Sequence, residues 1–254
     1  MIIDISKPVT IYEVLTLLVS LVVLVKPCLI FIYKRLNTEL AYYPNGELKL
    51  FFNKSGAYVQ IFGSCKALNS DIVVRKIEAT VKRQKDNKEL NLVWSSFIAP
   101  FVQQMGSDFV SGNEQVHPFQ ITENSMVPIF VEFEVKNRTS SKEINLYMNQ
   151  VEKYAYELNE NNDFNKIWEL YQKETSYVET VKCLEMEFYW ETGRYSVDMI
   201  IHYNDNSKTE YSVEFDIPEE KSLKLRMNIQ EVIMFPFKQK FRKRIYFYTY
   251  EVSQ

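Results

Sequence analysis

The chain has 254 residues, 15% aromatic and 46% hydrophobic, and a formal net charge of −3. That balance argues against a general polyanion binder, so nucleic acid is not an expected partner. Only 6 glycines argue against phosphate-cradling loops, and 3 cysteines far apart in sequence (Cys28, Cys65, Cys183) do not make a disulfide framework.

Residues 14–33 read VLTLLVSLVVLVKPCLIFIY, and 14 of these 20 are Val, Leu, Ile or Phe. A helix of this length spans a ~30 Å hydrocarbon core. The apolar run contributes on the order of −6 kcal/mol to insertion, and Lys26 opposes it by at most ~3 kcal/mol. Lys26 lies about two turns from the Tyr33 end, where its stem can snorkel. Pro27 removes a backbone donor and is expected to kink the helix. Lys26 and Pro27 are therefore the membrane residues of interest, and residues 1–36 are expected to form a tail and a single transmembrane helix. The leader MIIDISKP is not basic and no A-x-A-like site follows, which argues against a cleaved signal peptide. Lys26, Lys34 and Arg35 outweigh Lys7 with Asp4 and Glu13, so the soluble part is expected on the cytoplasmic side of a cell membrane.

Residues 37–139 carry period-two apolar runs between turn signals. ELKLFF follows Asn45-Gly46, and GAYVQIFG spans residues 56–63. IVVRKIEATVKR and ELNLVW flank the polar tip 84–88 and predict a hairpin. Residues 100–112 read as loop, and HPFQITE and PIFVEFEV as further strands. This first β-rich unit is expected to be a sandwich.

Residues 140–178 predict a helical connector. Ser140 and Glu143 have capping-box spacing. Ile144, Tyr147, Val151, Tyr154, Ala155 and Leu158 then recur at helical intervals. After a polar interruption, Asp163 caps a second segment carrying Phe164, Ile167, Trp168 and Tyr171. That aromatic stripe is expected to pack on the sheets.

Residues 179–254 return to strands. CLEMEFYW leads through a turn at Gly193 to RYSVDMIIHY, and Asn204 to Ser207 turn the chain into EYSVEFDIP. Such a meander resembles the hairpins of immunoglobulin-like sandwiches. The fold expected is therefore mainly β: an N-terminal transmembrane helix, then antiparallel, immunoglobulin-like β-sandwich units joined by a helical segment. Residues 223–229 favour a helix behind Pro218-Glu219-Glu220. The last run, FKQKFRKRIYFYTYEV, reads as a final strand.

No metal-ligand spacing, nucleophile elbow or phosphate loop is present, and the carboxylates alternate along strands as on solvated sheet faces. His117 and His202 lie inside strand patterns. Neither an enzyme nor a cofactor is expected. The reading is a non-enzymatic, membrane-anchored protein presenting its β units to a protein partner. The alternative is a ligand-sensing effector whose β domain binds an anionic ligand or lipid headgroups and acts through the helix. One sequence feature points to an anionic partner. In a strand, Lys238, Lys240, Arg242 and Arg244 share one face at ~6.8 Å intervals, with Lys243 opposite. An edge strand guarded by cations has the same pattern.

Overall fold

The first ordered element of this computed structural model, which describes residues 10–105, 108–136, 141–158 and 163–253, is helix α1 (Ile11–Leu36). Thr10 starts it with a capping box: its amide donates to the Glu13 carboxylate (2.8 Å), and its hydroxyl accepts from the Glu13 amide (3.4 Å). The helix runs on through Pro27, and none of its residues is buried. At ~1.5 Å per residue it is long and apolar enough to cross a membrane.

Asn37 ends α1, its amide and side chain both donating to the Tyr33 carbonyl. The chain then enters β1 (Glu39–Asn53) and β2 (Gly56–Leu68). These are followed by β3 (Ile72–Arg83), β4 (Lys88–Met105), β5 (Asp108–Gln115), β6 (Phe119–Ile121) and β7 (Met126–Val135). Helices α2 (Ser141–Glu157), α3 (Phe164–Tyr171) and α4 (Thr175–Glu187) come next. The chain closes with β8 (Gly193–Tyr203), β9 (Ser207–Ile217), helix α5 (Glu219–Lys240) and β10 (Tyr250–Ser253).

Among the described residues the ten strands form one antiparallel, barrel-like sheet. Its order is β10-β1-β2-β7-β4-β3-β8-β9, with β5 on β4 and β6 on β3. The two β-rich regions of the sequence therefore share a sheet rather than standing as separate sandwiches. β3 pairs with β8 from Val74 to Arg83, and β1 pairs with β10.

Period-two patterning fills the interior. In β8, Tyr195, Val197, Met199, Ile201 and Tyr203 are buried and the residues between them are not. In β3 the parity changes. Ile72 and Val74 are buried, then Ile77, Ala79, Val81 and Arg83, because a register shift between Val74 and Lys76 inserts one residue.

The edges meet through side chains. The Thr209 hydroxyl of β9 donates to the Leu40 carbonyl of β1 (2.6 Å), and the Tyr42 and Tyr211 rings meet edge-on at 4.8 Å. Tyr42 reaches Tyr211 by lying across Gly63 of β2, where a Cβ would collide with its ring. Its hydroxyl donates to the Phe62 carbonyl (3.2 Å).

The hairpin at 84–88, the strands within 45–68 and 126–135, the β8–β9 turn, the Asp163 cap and the helix after Pro218 follow the sequence pattern. Ser140 of the expected capping box lies outside the described residues. Four expectations change. Residues 183–187 are helix, since Thr180, Cys183 and Leu184 are buried at helical spacing. The described residues of 100–112 belong to strands β4 and β5 and not to a loop. HPFQITE contributes only the three-residue β6. The C-terminal run is helix to Lys240, and only Tyr250–Ser253 is strand. Phe237, Phe241 and Ile245 recur every fourth residue, which suits a helix as well as a strand.

The aromatic stripe of α2 and α3 packs on helices before it reaches the sheet. Phe237 of α5 lies 4.9 Å from the Tyr171 ring and 5.6 Å from Trp168. α5 in turn lies on β1. Trp190 ties this layer to the sheet: its indole donates to the Phe51 carbonyl, and its own carbonyl accepts from the buried Ser222 (both 2.8 Å).

Gly63→Ala should destabilise the domain by about 1–3 kcal/mol through displacement of the Tyr42 ring. In a Tyr42→Ala background the same change should cost under about 0.5 kcal/mol. Denaturant melts of the four proteins measure the coupling, and additive costs would remove the ring from the explanation.

Candidate functional site

The two ends of the sheet differ in chemistry. At one end α1 is stitched to the β2–β3 turn and the β6–β7 connection. Thr38 and Ser70 hydroxyls pair at 2.6 Å, the Asn69 amide donates to the Asn37 carbonyl (2.6 Å), and Lys34 pairs with Glu123 (2.7 Å). A cleft of 860 Å³ opens beside this junction, with Arg35, Arg75, Asp71 and Asp205 on its walls. Its charges are mixed, and Arg75 already pairs with Asp205 at 2.8 Å.

The other end holds a buried cation. Arg83 occupies an inward position at the end of β3 and is 5% exposed. Its guanidinium grips Asp86 through Nε (3.0 Å) and Nη2 (2.6 Å). Nη1 donates to the Tyr189 carbonyl (3.3 Å) and faces Glu191 (3.1 Å). The Tyr189 hydroxyl, between the Val81 and Lys88 carbonyls, donates to one of them at a time (3.0 and 2.7 Å); Tyr195 stands likewise between the Tyr189 and Glu191 carbonyls (3.1 and 2.7 Å). Burial pushes the Tyr195 hydroxyl up to about 12. The Arg83 hydrogen bond holds the Asp86 carboxyl down at about 2. This node is structural: it locks the β3–β4 hairpin to the segment leading into β8. Gly193 opens that strand at φ +146, a conformation that side chains rarely adopt.

The predicted basic face does not form as a strand stripe. Lys238 and Lys240 lie in the last turn of α5, where cations favour the helix C-terminus. Lys238 is largely covered and bonded to Glu231 at 2.5 Å. Lys240 is half-buried. Arg242, Lys243 and Arg244 follow the helix and are exposed, with Arg244 donating to the Tyr246 hydroxyl (3.4 Å). The helix stops with a Lys243 amide bond to the Lys238 carbonyl (2.7 Å) and an Arg242 amide bond to Gln239 (3.2 Å). This two-bond stop usually carries glycine at its left-handed position. Here that residue is Arg242, at φ +52. A side chain there costs roughly 1–2 kcal/mol, and attraction of the cation to the helix end returns only about 0.3–1 kcal/mol.

Beyond the bend the chain runs back along α5. The buried Asn228 side chain brackets Tyr248, accepting from its amide (2.7 Å) and donating to its carbonyl (2.8 Å). Tyr246, Phe247 and Tyr248 remain exposed, as does Phe235 on α5. Phe235 and Phe247 line a 180 Å³ groove with Met148 and Val232, and Lys54 and Glu152 stand at its sides. In a strand Tyr246 and Tyr248 would continue the basic face and Phe247 would be buried opposite; residues 243–249 form no strand, and Phe247 is exposed beside them.

Lys26 and Pro27 both lie inside α1 and are exposed with it. His202 Nε2 lies 2.8 Å from Glu78 on the outer sheet face, and His117 Nδ1 is 2.9 Å from the Gln115 carbonyl. Burial pushes the Cys65 thiol, inside the barrel, up to about 12.

No family model and no curated protein matches the chain. Among solved structures the similarity is at a distant level. One is a family 123 glycoside hydrolase from Clostridium perfringens, at 5% identity and TM-score 0.31, covering 72% of this chain and 27% of that one. Another is Spo0M, a sporulation control protein from Bacillus subtilis, at 8% identity and TM-score 0.28, covering 84% of this chain and 64% of that one. The chain thus spans less than two thirds of either. Likeness at these scores carries no functional argument.

The Asp86 carboxyl gives the node a pH dependence of known sign. A carboxyl whose value is depressed in the folded state stabilises above its ordinary ~3.9, and that contribution is lost as pH falls through about 2. Melting temperature should therefore drop between about pH 4 and 2, and Asp86→Asn should flatten that part of the profile. An identical acid slope in the variant would take Asp86 out of the acid response.

Proposed function

We propose that the chain is a single-pass membrane protein, with α1 as anchor and the barrel-like domain as a non-enzymatic interaction module for a protein partner. The observation that carries this reading is the exposure of every residue of α1 from Ile11 to Tyr33. Only the foot of α1 meets the domain, at Lys34, and its Val-, Leu- and Ile-rich length has no face against it, so something other than that domain must cover it. A bilayer does so at a gain on the order of 6 kcal/mol, reduced by at most ~3 kcal/mol for Lys26. The stitched junction supports retention of α1, since cleavage as a leader would leave the Glu123 carboxylate without its Lys34 partner. The excess of Lys26, Lys34 and Arg35 over the charges before the helix supports a cytoplasmic domain in a cell membrane.

The junction also favours a second reading. A domain bonded to its helix by Lys34, Asn37 and Thr38 transmits a rotation or tilt, as a ligand-sensing effector requires. The cleft beside the junction is where such a ligand would act. Glu123→Ala separates the two readings: it should leave partner binding unchanged in the anchored module and uncouple ligand from response in the effector.

The intact chain should stay in the membrane pellet through high-salt and carbonate washes, with the α1 peptide still present by mass spectrometry. A single cysteine at the exposed hairpin residue Lys85 should resist an impermeant thiol reagent in intact cells. Release by carbonate would overturn the anchor, and labelling without permeabilisation would reverse the orientation.

A further inference from the structure

The C-terminal bend and the groove beside it form one surface. The side chains of Arg242 and Lys243 are exposed and, among the described residues, have no hydrogen-bond or ion-pair partner. Phe247 follows Lys243 by four residues, at most ~14 Å of extended chain. Clamping of Tyr248 by Asn228 keeps the connecting strap against α5. A cationic bend therefore sits beside a small apolar groove walled by Phe235, Phe247, Val232 and Met148. The bend keeps an arginine at a backbone position where glycine fits without strain. The fold gains little from that guanidinium, and a strained residue at an exposed site points to use of its side chain.

We propose that this surface binds an acidic segment of a partner protein, with one apolar side chain in the groove and carboxylates on Arg242 and Lys243. The proposal rests on the interaction reading above and names the chemistry of its partner. Charge complementarity selects an anion, and the mix of exposed arginine, tyrosine and phenylalanine is that of protein interfaces. A groove of 180 Å³ is below the size of small-molecule sites and suits a single side chain. The length of β1 argues against the leaflet holding α1 as the occupant. β1 leads from the foot of α1 to Asn53 at the groove, roughly 35 Å for a tilted strand of this length, against a screening length of about 8 Å.

The test uses the full chain in neutral detergent and a short fluorescent peptide of Asp and Glu interrupted by one Phe and one Leu, read by anisotropy. Binding should be saturable and should weaken with salt. It should fall at least about tenfold when the peptide's Phe and Leu become Ser. Arg242→Gly with Lys243→Ser should weaken it by a similar factor, with a melting temperature no lower than that of the parent chain. Equal binding by the variant, or no saturable binding at low salt, would overturn the proposal. So would tighter binding of oligothymidylate or of soluble short-chain phosphatidylserine, which would assign the surface to nucleic acid or lipid. Detergent supplies no bilayer, so failure here leaves the anchor untouched, and release of the chain by carbonate leaves this binding measurable.

Discussion

The antiparallel pairing of β3 with β8 is the constraint on which the architecture depends. It joins residues more than a hundred positions apart, and without it the first seven strands would be a curved sheet with an open edge. β3 pairs β4 on one edge and β8 on the other, and a one-residue shift after Val74 re-aims the side chains of its second half. Ile77, Ala79 and Val81 then face the same interior as Val197, Met199 and Ile201 of β8. β9 follows by a tight turn and brings Thr209 and Tyr211 back to β1. The curl is completed there by a hydroxyl and a ring contact in place of a ladder. A side-chain seam leaves the edge of β1 free to accept β10, so the chain's last strand is held by its first.

A buried arginine at the end of that pairing is tolerable only with its hydrogen bonds satisfied. Asp86, Glu191 and the Tyr189 carbonyl accept from Arg83, and both tyrosine hydroxyls find carbonyl partners in turn. The node joins three segments whose only common feature is position in space. The same device recurs at Asn228, a fully buried amide that receives and donates one bond each to the backbone of Tyr248. Polar side chains thus hold the irregular segments where ladders end.

The result is a two-ended molecule. The end that meets α1 is built from turns with charges of both signs, and the far end is capped by helices whose aromatic faces interlock around Phe237. β1 spans the distance between them and fixes it. Whatever covers α1 is therefore held away from whatever approaches Arg242 and Phe247, and one chain offers two surfaces to different surroundings.

Local spacing was enough for the apolar helix, for the hairpins around residues 84–88 and 204–207, and for the helices capped at Asp163 and begun after Pro218. In each of these, the residues that set the structure are neighbours in the chain. The buried Arg83 was also legible in principle, since it continues the inward parity of Ile77, Ala79 and Val81. The C-terminal run was not. Phe237, Phe241 and Ile245 satisfy a strand and a helix alike, and only the cavity offered by Tyr154, Trp168 and Tyr171 decided for the helix. That decision moved Lys238 into a bond with Glu231, left Arg242 and Lys243 in a bend, and brought Phe247 beside Phe235. One sheet in place of two sandwiches was decided in the same way. Alternation specifies which face of a strand is buried, but not which distant strand it pairs with, and the partner of β3 is set by the interior that β8 completes.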